Sequence, residues 1–266
     1  MKIFVIANQK GGVGKTTTVM NLGAALAQKG KKTLAVDLDP QSNLSSGLGF
    51  TQQFDKQSWK STDEAPYKNI YDVLVEGEPI SSVFVTTDTK NLFLLPSHLS
   101  LAGAEIEMVN MISRETLLKK ALENMTEKFD YVLIDCPPSL GLLTLNALSA
   151  AQKLIIPIQC EYFALEGLGQ LIETTKLIKG INSALTIGGV ILTMYDSRTK
   201  LSENVVKDVT DFFGDVAFNT IVPRNVRLSE APSYGKTIFQ YDKNSTGALA
   251  YRRLASEFID RFEKIN

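Results

Sequence analysis

Lys10-Gly11-Gly12-Val13-Gly14-Lys15-Thr16-Thr17 gathers glycines, two lysines and two hydroxyls into one short run. Glycines let a backbone turn tightly and aim several N–H groups at one point, which suits the oxygens of a phosphate chain. Lys15 then adds a point charge for β- and γ-phosphates, and the Thr16 hydroxyl stands where a Mg²⁺ ligand is needed. The usual phosphate-loop pattern asks for a glycine where Gln9 stands, and Lys10 puts a second cation inside the loop. Two carboxylate turns accompany this run. In Val36-Asp37-Leu38-Asp39-Pro40-Gln41, Asp37 reads as a strand-end residue with a structural or supporting role. Asp39 lies beyond the strand on a turn stiffened by Pro40, where it can reach the γ-phosphate side and orient an attacking water. Tyr131-Val132-Leu133-Ile134-Asp135 is an apolar run ending in one carboxylate, suited to holding Mg²⁺ through a water.

Such groups act together only if a scaffold brings them to one edge. The phosphate run follows Ile3 to Ala7 and precedes an amphipathic pattern over Lys15 to Gln28, which predicts strand, loop, helix. That context disfavours a mere glycine-rich turn with solvated lysines. Further strands are expected at Thr33 to Val36, Leu92 to Leu95, Tyr131 to Ile134, Leu154 to Ile158, Ile187 to Leu192 and Val216 to Ile221. Their near-continuous Val/Ile/Leu content is that of parallel strands buried on both faces. Helices are expected near Leu101 to Asn124, Leu142 to Ala150, Leu165 to Lys179, Ser202 to Phe213 and Thr246 to Lys264, with Gly30 closing the first helix. The rhythm predicts an α/β fold with one doubly wound, mostly parallel sheet flanked by helices. One domain over 1–266 is expected, with a polar surface excursion from Thr51 to Lys68 that holds the single tryptophan, Trp59.

The chain has 266 residues and a net charge of -1, which argues against polyanion binding by the whole surface but leaves room for a local basic patch. Cys136 and Cys160 form no CxxC pair, so buried thiols in a reducing cytoplasm are expected rather than a disulfide or cysteine metal site. No charged-then-apolar leader precedes the first strand, and no apolar run approaches the ~20 residues of a membrane span. A cytoplasmic protein is expected. His98, the only histidine, is expected in an exposed loop, and Ser45, Ser46 and Ser97 read as turn or cap residues.

The loop with Lys10 resembles the deviant Walker A motif of the ParA/MinD group of P-loop ATPases, the Asp39 turn resembles Walker A′, and the Asp135 strand resembles Walker B. Ala7-Asn8-Gln9-Lys10 onward, Asp37 to Gly49, Pro157 to Gly167 and Pro223-Arg224-Asn225-Val226-Arg227-Leu228-Ser229-Glu230-Ala231-Pro232-Ser233-Tyr234-Gly235-Lys236 are similar to segments of the chromosomal ParA/Soj subgroup. The resemblance implies ATP and Mg²⁺ as cofactors, with Gly11, Gly12, Val13, Gly14, Lys15, Thr16 and Thr17 around the nucleotide. It implies that Lys10 reaches the partner's nucleotide in an ATP-dependent sandwich homodimer, that Asp39 activates water, and that the loop Pro137 to Gly141 senses the γ-phosphate. Also implied are nonspecific duplex DNA binding by the dimer, nucleoid association when ATP is bound, and slow hydrolysis stimulated by a ParB-type partner.

Met194 and Pro223 map onto the residues that sandwich the purine in similar proteins, although each reads equally well as ordinary packing. Arg198, Arg224 and Arg227 supply positive charge in loops and helix starts; by themselves they read as a solvated face balanced by Asp196, Glu230 and Asp242. With the resemblance they become candidates for DNA phosphates. A MinD-like membrane-cycling ATPase is the alternative. It needs a basic amphipathic C-terminal helix, which Glu257, Asp260 and Glu263 dilute. An iron–sulfur carrier lacks a recognisable cysteine pair.

Overall fold

The computed structural model describes residues 1–53, 65, 67–162, 164–165 and 168–263. Most of the predicted polar excursion, Trp59 included, lies outside the described residues. Seven strands form one sheet: β1 (Lys2–Ile6), β2 (Thr33–Asp37), β3 (Val85–Thr86), β4 (Leu92–Leu95), β5 (Tyr131–Asp135), β6 (Lys153–Gln159) and β7 (Thr186–Thr193). Their order is β3-β4-β2-β5-β1-β6-β7. All pairings are parallel except the short edge pair of β3 with β4.

Alternation along the strands feeds two separate cores. Ile3, Val5, Leu34, Val36, Val132 and Ile134 point into one, and Phe4, Ile6, Ala35, Tyr131 and Leu133 into the other. Helices α1 (Lys15–Gln28) and α10 (Thr246–Glu263) cover the second face through Val19, Leu22, Leu26, Leu254 and Phe258. On the first face lie α3 (Leu101–Glu107), α4 (Leu117–Glu123), α5 (Leu142–Ala150), α6 (Leu168–Ile178) and α7 (Lys200–Phe213). Three short helices, α2 (Asn43–Gly47), α8 (Val226–Glu230) and α9 (Ile238–Tyr241), sit in the connections. Gly30 closes α1 as expected, with a φ of 83° that favours glycine and its N–H on Ala27 O at 3.0 Å.

Phe258 of α10 is fully buried, its ring 4.6 Å from that of Phe4 and 4.7 Å from that of Phe262. Phe258→Ala is therefore expected to cost about 3–5 kcal/mol of stability in denaturant titration. A loss under about 1 kcal/mol would show that this aromatic cluster does not hold α10 to the sheet.

Three expectations fail. Val216 to Ile221 is not a strand: it holds the end of a 3₁₀ turn (Gly214–Val216) and a single bridge from Ala217 to Val190. Side chains of α10 satisfy the backbone groups that a ladder would have used. Glu257 accepts from Asn219 N (2.7 Å) and Thr220 N (2.9 Å), and Arg261 donates to Val216 O (2.8 Å) and Ala217 O (3.0 Å). Leu101 to Asn124 is not one helix. It breaks after α3 at a 3₁₀ turn (Met108–Asn110) and at Ser113, whose φ is 58°. At the break Asn146 of α5 donates to Arg114 O (2.7 Å) and accepts from Leu118 N (3.1 Å). Ile106, Val109 and Ile112, which mimic a continuing core stripe, are all exposed. His98 is fully buried rather than exposed, with Nδ1 accepting from Ser100 N at 3.2 Å and the Tyr67 ring edge-on at 5.9 Å.

Candidate active site

Ile6 and Asp37 both pair in register with Asp135, so the loops leaving β1, β2 and β5 emerge side by side at one sheet edge. This is the C-terminal edge, where open α/β sheets bind ligands. The loop after β1 is braced by groups outside the glycine motif. Asn8 Nδ2 donates to Pro157 O (2.8 Å) and its Oδ1 accepts from Lys10 N (3.0 Å). Thr193 Oγ1, at the end of β7, donates to Val13 O (2.8 Å). Gly12 and Gly14 have φ of 75° and 91°, a region that side-chain-bearing residues rarely adopt. Gly14 leads into α1, whose first turn carries neither a side-chain cap nor an acidic residue. Its free N–H groups and positive dipole end thus stay available to an anion.

Lys15 is buried and its Nζ donates to Lys10 O at 3.2 Å, across the mouth of the loop. Burial lowers its pKa, and the nearby Asp135, Cys136 and Asp39 oppose that shift. The loop is thus closed on itself by the ammonium group that a phosphate would take over.

The two aspartates at and just beyond the end of β2 have separate jobs. Asp37 is fully buried, and its Oδ2 accepts from Ser45 N (2.8 Å) and Ser45 Oγ (2.7 Å) while Oδ1 accepts from Asp39 N (3.2 Å). Burial raises its pKa to about 7 despite these donors. It is a loop organiser. Asp39 is held mainly by its backbone: its carbonyl accepts from Ser97 Oγ (2.9 Å) and Ser42 N (2.8 Å). Its Oδ1 accepts from Gln41 N (2.9 Å), and Oδ2 takes no hydrogen bond among the described residues.

Asp135 differs from both. It is fully buried, and neither carboxylate oxygen accepts a hydrogen bond of normal geometry. Burial and the neighbouring Asp37 push its pKa well up, against the pull of the Thr16 side chain and Lys15. A buried carboxylate without donors, beside a hydroxyl and an ammonium, is a place for a cation. No group of three or more His, Cys, Asp or Glu side chains able to hold a metal occurs among the described residues. That donor set fits Mg²⁺, which keeps its waters and binds through one or two protein groups plus phosphate oxygens.

A family model described as an AAA domain matches residues 1–187. The chain is 52% identical over 98% of its length, and 98% of the relative's, to the chromosome-partitioning ATPase Soj of Treponema pallidum. It is 51% identical to the sporulation initiation inhibitor protein Soj of Bacillus subtilis, covering 96% of this chain and 97% of that one. Among solved structures, cobyrinic acid a,c-diamide synthase from Mycobacterium smegmatis with bound ADP and magnesium superposes with a TM-score of 0.82 at 37% identity, over 100% of this chain and 97% of that one. The chain belongs to the ParA/Soj family of chromosome-partitioning ATPases.

The ParA/Soj chain thus carries an ATPase site on a mostly parallel sheet flanked by helices, as its sequence implies. Next to the phosphate loop, a cavity of about 210 Å³ is lined by Gly14, Thr17, Met194, Pro223, Val226 and Tyr251, among others. The structure therefore brings Met194 and Pro223 together beside the loop; Met194 adopts a φ of 53°, and Tyr195 bridges to Pro223. The three arginines lie on the surface, each paired with a carboxylate: Arg198 with Asp196 (2.7 Å), Arg224 with Glu161 (2.8 Å) and Arg227 with Glu230 (2.9 Å). Cys136 and Cys160 are buried free thiols.

Several residues of this site escaped the sequence reading. Asn8, which lies in the run that resembles the family loop, and Thr193, at the end of β7, brace the loop through contacts that no motif specifies. Ser45 and Ser97 are more than turn residues: Ser45 Oγ both donates to Asp37 and accepts from Ser97 N (3.0 Å), linking β2 to the loop after β4. Tyr251 meets Thr18 Oγ1 at 3.2 Å from a helix far along the chain. The serine-rich run after Asp39 and the place of Asn8 beside the glycine loop offered the local signals.

Proposed function

We propose that this chain is a single-domain DNA-partitioning ATPase that uses ATP and Mg²⁺ to form a sandwich homodimer. The dimer binds duplex DNA without sequence preference and associates with the nucleoid, and hydrolysis, stimulated by a ParB-type partner, releases it. One observation carries this reading: Lys10, Lys15, Thr16, Asp39 and the donorless Asp135 converge at one sheet edge. Lys15 and the N–H groups of Gly11 to Thr17 bind the phosphates, and Met194 and Pro223 flank the base. Thr16 and Asp135 hold Mg²⁺, which neutralises charge on the phosphates when bound. Asp39 orients the attacking water. Lys10 has no ion pair among the described residues, which supports a role toward the partner's nucleotide.

The membrane-cycling reading loses ground at α10. Its apolar residues Ala248, Tyr251, Leu254, Ala255 and Phe258 are buried against the sheet, so this face is not available to lipid. No described helix is long and apolar enough to cross a membrane.

Arg198, Arg224 and Arg227 supply the DNA contacts. Exposed ion pairs contribute little, about 0–1 kcal/mol, so DNA phosphates can take these guanidinium groups from Asp196, Glu161 and Glu230. Two subunits double the number of contacts and raise the effective concentration. Gel shifts with unrelated duplexes are expected to show binding with ATP and not with ADP. Affinity is expected to fall by about tenfold or more between 50 and 200 mM salt. Arg198→Glu or Arg227→Glu is expected to weaken binding and leave ATP-driven dimerisation intact. Equal binding with ADP, or one duplex held far more tightly than the rest, would overturn the reading.

A further inference from the structure

The loop from Cys136 to Gly141 joins Asp135 to α5, so whatever fixes the start of α5 also fixes where this loop leaves the metal-binding strand. Thr144 Oγ1 ties the first turn of α5 back to Ser139 O at 2.6 Å. The helix itself begins poorly. Its N-cap is Gly141, which has no side chain, and its first turn holds no acidic residue. A helix start without a cap leaves N–H groups unpaired and a positive dipole end unanswered.

The missing cap comes from another helix. Glu105 of α3 accepts from Leu143 N through Oε1 at 3.3 Å. The same carboxylate lies over Gly141: a Cβ there would collide with Oε1 and stand only 3.0 Å from Cδ and 3.2 Å from Oε2. Gly141 has a φ of -79°, which any residue adopts, so a side chain there is opposed not by backbone conformation but by the Glu105 carboxylate, which it would displace. The helix that carries Glu105 is anchored, because Leu101, Ala104 and Met108 on either side of it are fully buried.

We propose that Glu105 is a positioning residue for ATP turnover, setting the 136–141 loop by capping α5 from α3. This rests on reading that loop as the part of the site that meets the γ-phosphate. Glu105 acts through the helix and not on the reacting atoms; it holds the N-terminus of α5 so that the loop approaches the phosphate in one geometry. A small misplacement of reacting groups costs far more in rate than in binding, so the loss falls on kcat.

Two readouts test this, and neither involves DNA or a partner protein, so failure of the partition reading would leave them untouched. In nucleotide-free protein, Glu105→Ala is expected to speed hydrogen exchange at the Leu143 amide by about tenfold. In steady-state assays it is expected to lower kcat by about tenfold with KM for ATP within about twofold. Glu105→Gln, which keeps an acceptor at the same reach, is expected to restore most of both. Gly141→Ala should reproduce Glu105→Ala, because its methyl group evicts the carboxylate. The double variant should be no worse than either single one, since both remove one contact. If Glu105→Ala does not fold, Glu105→Asp, too short to reach Leu143 N, replaces it in the same cycle. The proposal is overturned if Leu143 exchange and kcat stay at wild-type values, if KM rises as steeply as kcat falls, or if the two substitutions act additively.

Discussion

Asp39→Ala is expected to lose ATP turnover by about 10²- to 10⁴-fold while keeping ATP affinity within a small factor. The asymmetry follows from how the residue is held. Its turn is fixed through the backbone, with Ser97 Oγ and Ser42 N on the Asp39 carbonyl, and both bonds survive removal of the side chain. Only the bond from Gln41 N to Oδ1 is lost. In the proposed site the phosphates are held elsewhere, by the loop before α1 and by Lys15, so binding is not expected to depend on the Asp39 carboxylate. Asp37→Ala makes the contrast. It strands Ser45 N, Ser45 Oγ and Asp39 N without their acceptor in a fully buried setting, so stability and nucleotide binding should fall together. Equilibrium binding of an ATP analogue, set beside phosphate release under saturating ATP, separates the two cases. Wild-type turnover in Asp39→Ala would remove Asp39 from the chemistry, and a parallel loss of affinity would make it a binding residue instead.

The phosphate loop, the Asp39 turn and the Asp135 strand were legible because each is a local run: glycines where φ must be positive, a carboxylate at the end of an apolar strand, a proline stiffening a turn. Six of the seven predicted strands were legible for the same reason, since strands buried on both faces carry uninterrupted apolar runs. What failed depends on contacts between distant segments. Val216 to Ile221 has strand composition, yet Glu257 and Arg261 of α10 take its backbone groups. Ile106, Val109 and Ile112 kept up a helical period through a break that Asn146 stabilises from another helix. His98 is polar and follows Pro96 and Ser97, which reads as an exposed loop, but the loop after β4 is drawn inward to hold Asp39 through Ser97. Thr193 and Glu105 bear on the site only through backbone groups far from them in sequence, and Asn8 reaches Pro157 O as well as the neighbouring Lys10 N; no spacing rule reaches the distant partners.

Lys10→Ala is expected to abolish ATP-driven dimerisation at protein concentrations where the parent dimerises, and to leave nucleotide binding by the single subunit nearly unchanged. The loop needs only the backbone of this residue: Lys10 N donates to Asn8 Oδ1, and Lys10 O accepts from Lys15 Nζ in the nucleotide-free loop. Alanine keeps both. Its side chain is a different matter, because a charge-assisted contact to a phosphate contributes about 1.5–3 kcal/mol. A two-fold symmetric dimer makes that contact twice, so the loss is about 3–6 kcal/mol, or about 10²- to 10⁴-fold in the dimer dissociation constant. Lys15→Ala should behave in the opposite order, losing nucleotide first and the dimer as a consequence, since Lys15 is buried beside Asp135 and Asp39 within its own subunit. Light scattering in the Asp39→Ala background, where ATP is not consumed, measures both variants on equal terms. A Lys10→Ala protein that dimerises like its parent would mean that the second lysine serves its own loop, and the sandwich would then need another residue to recognise the partner's nucleotide.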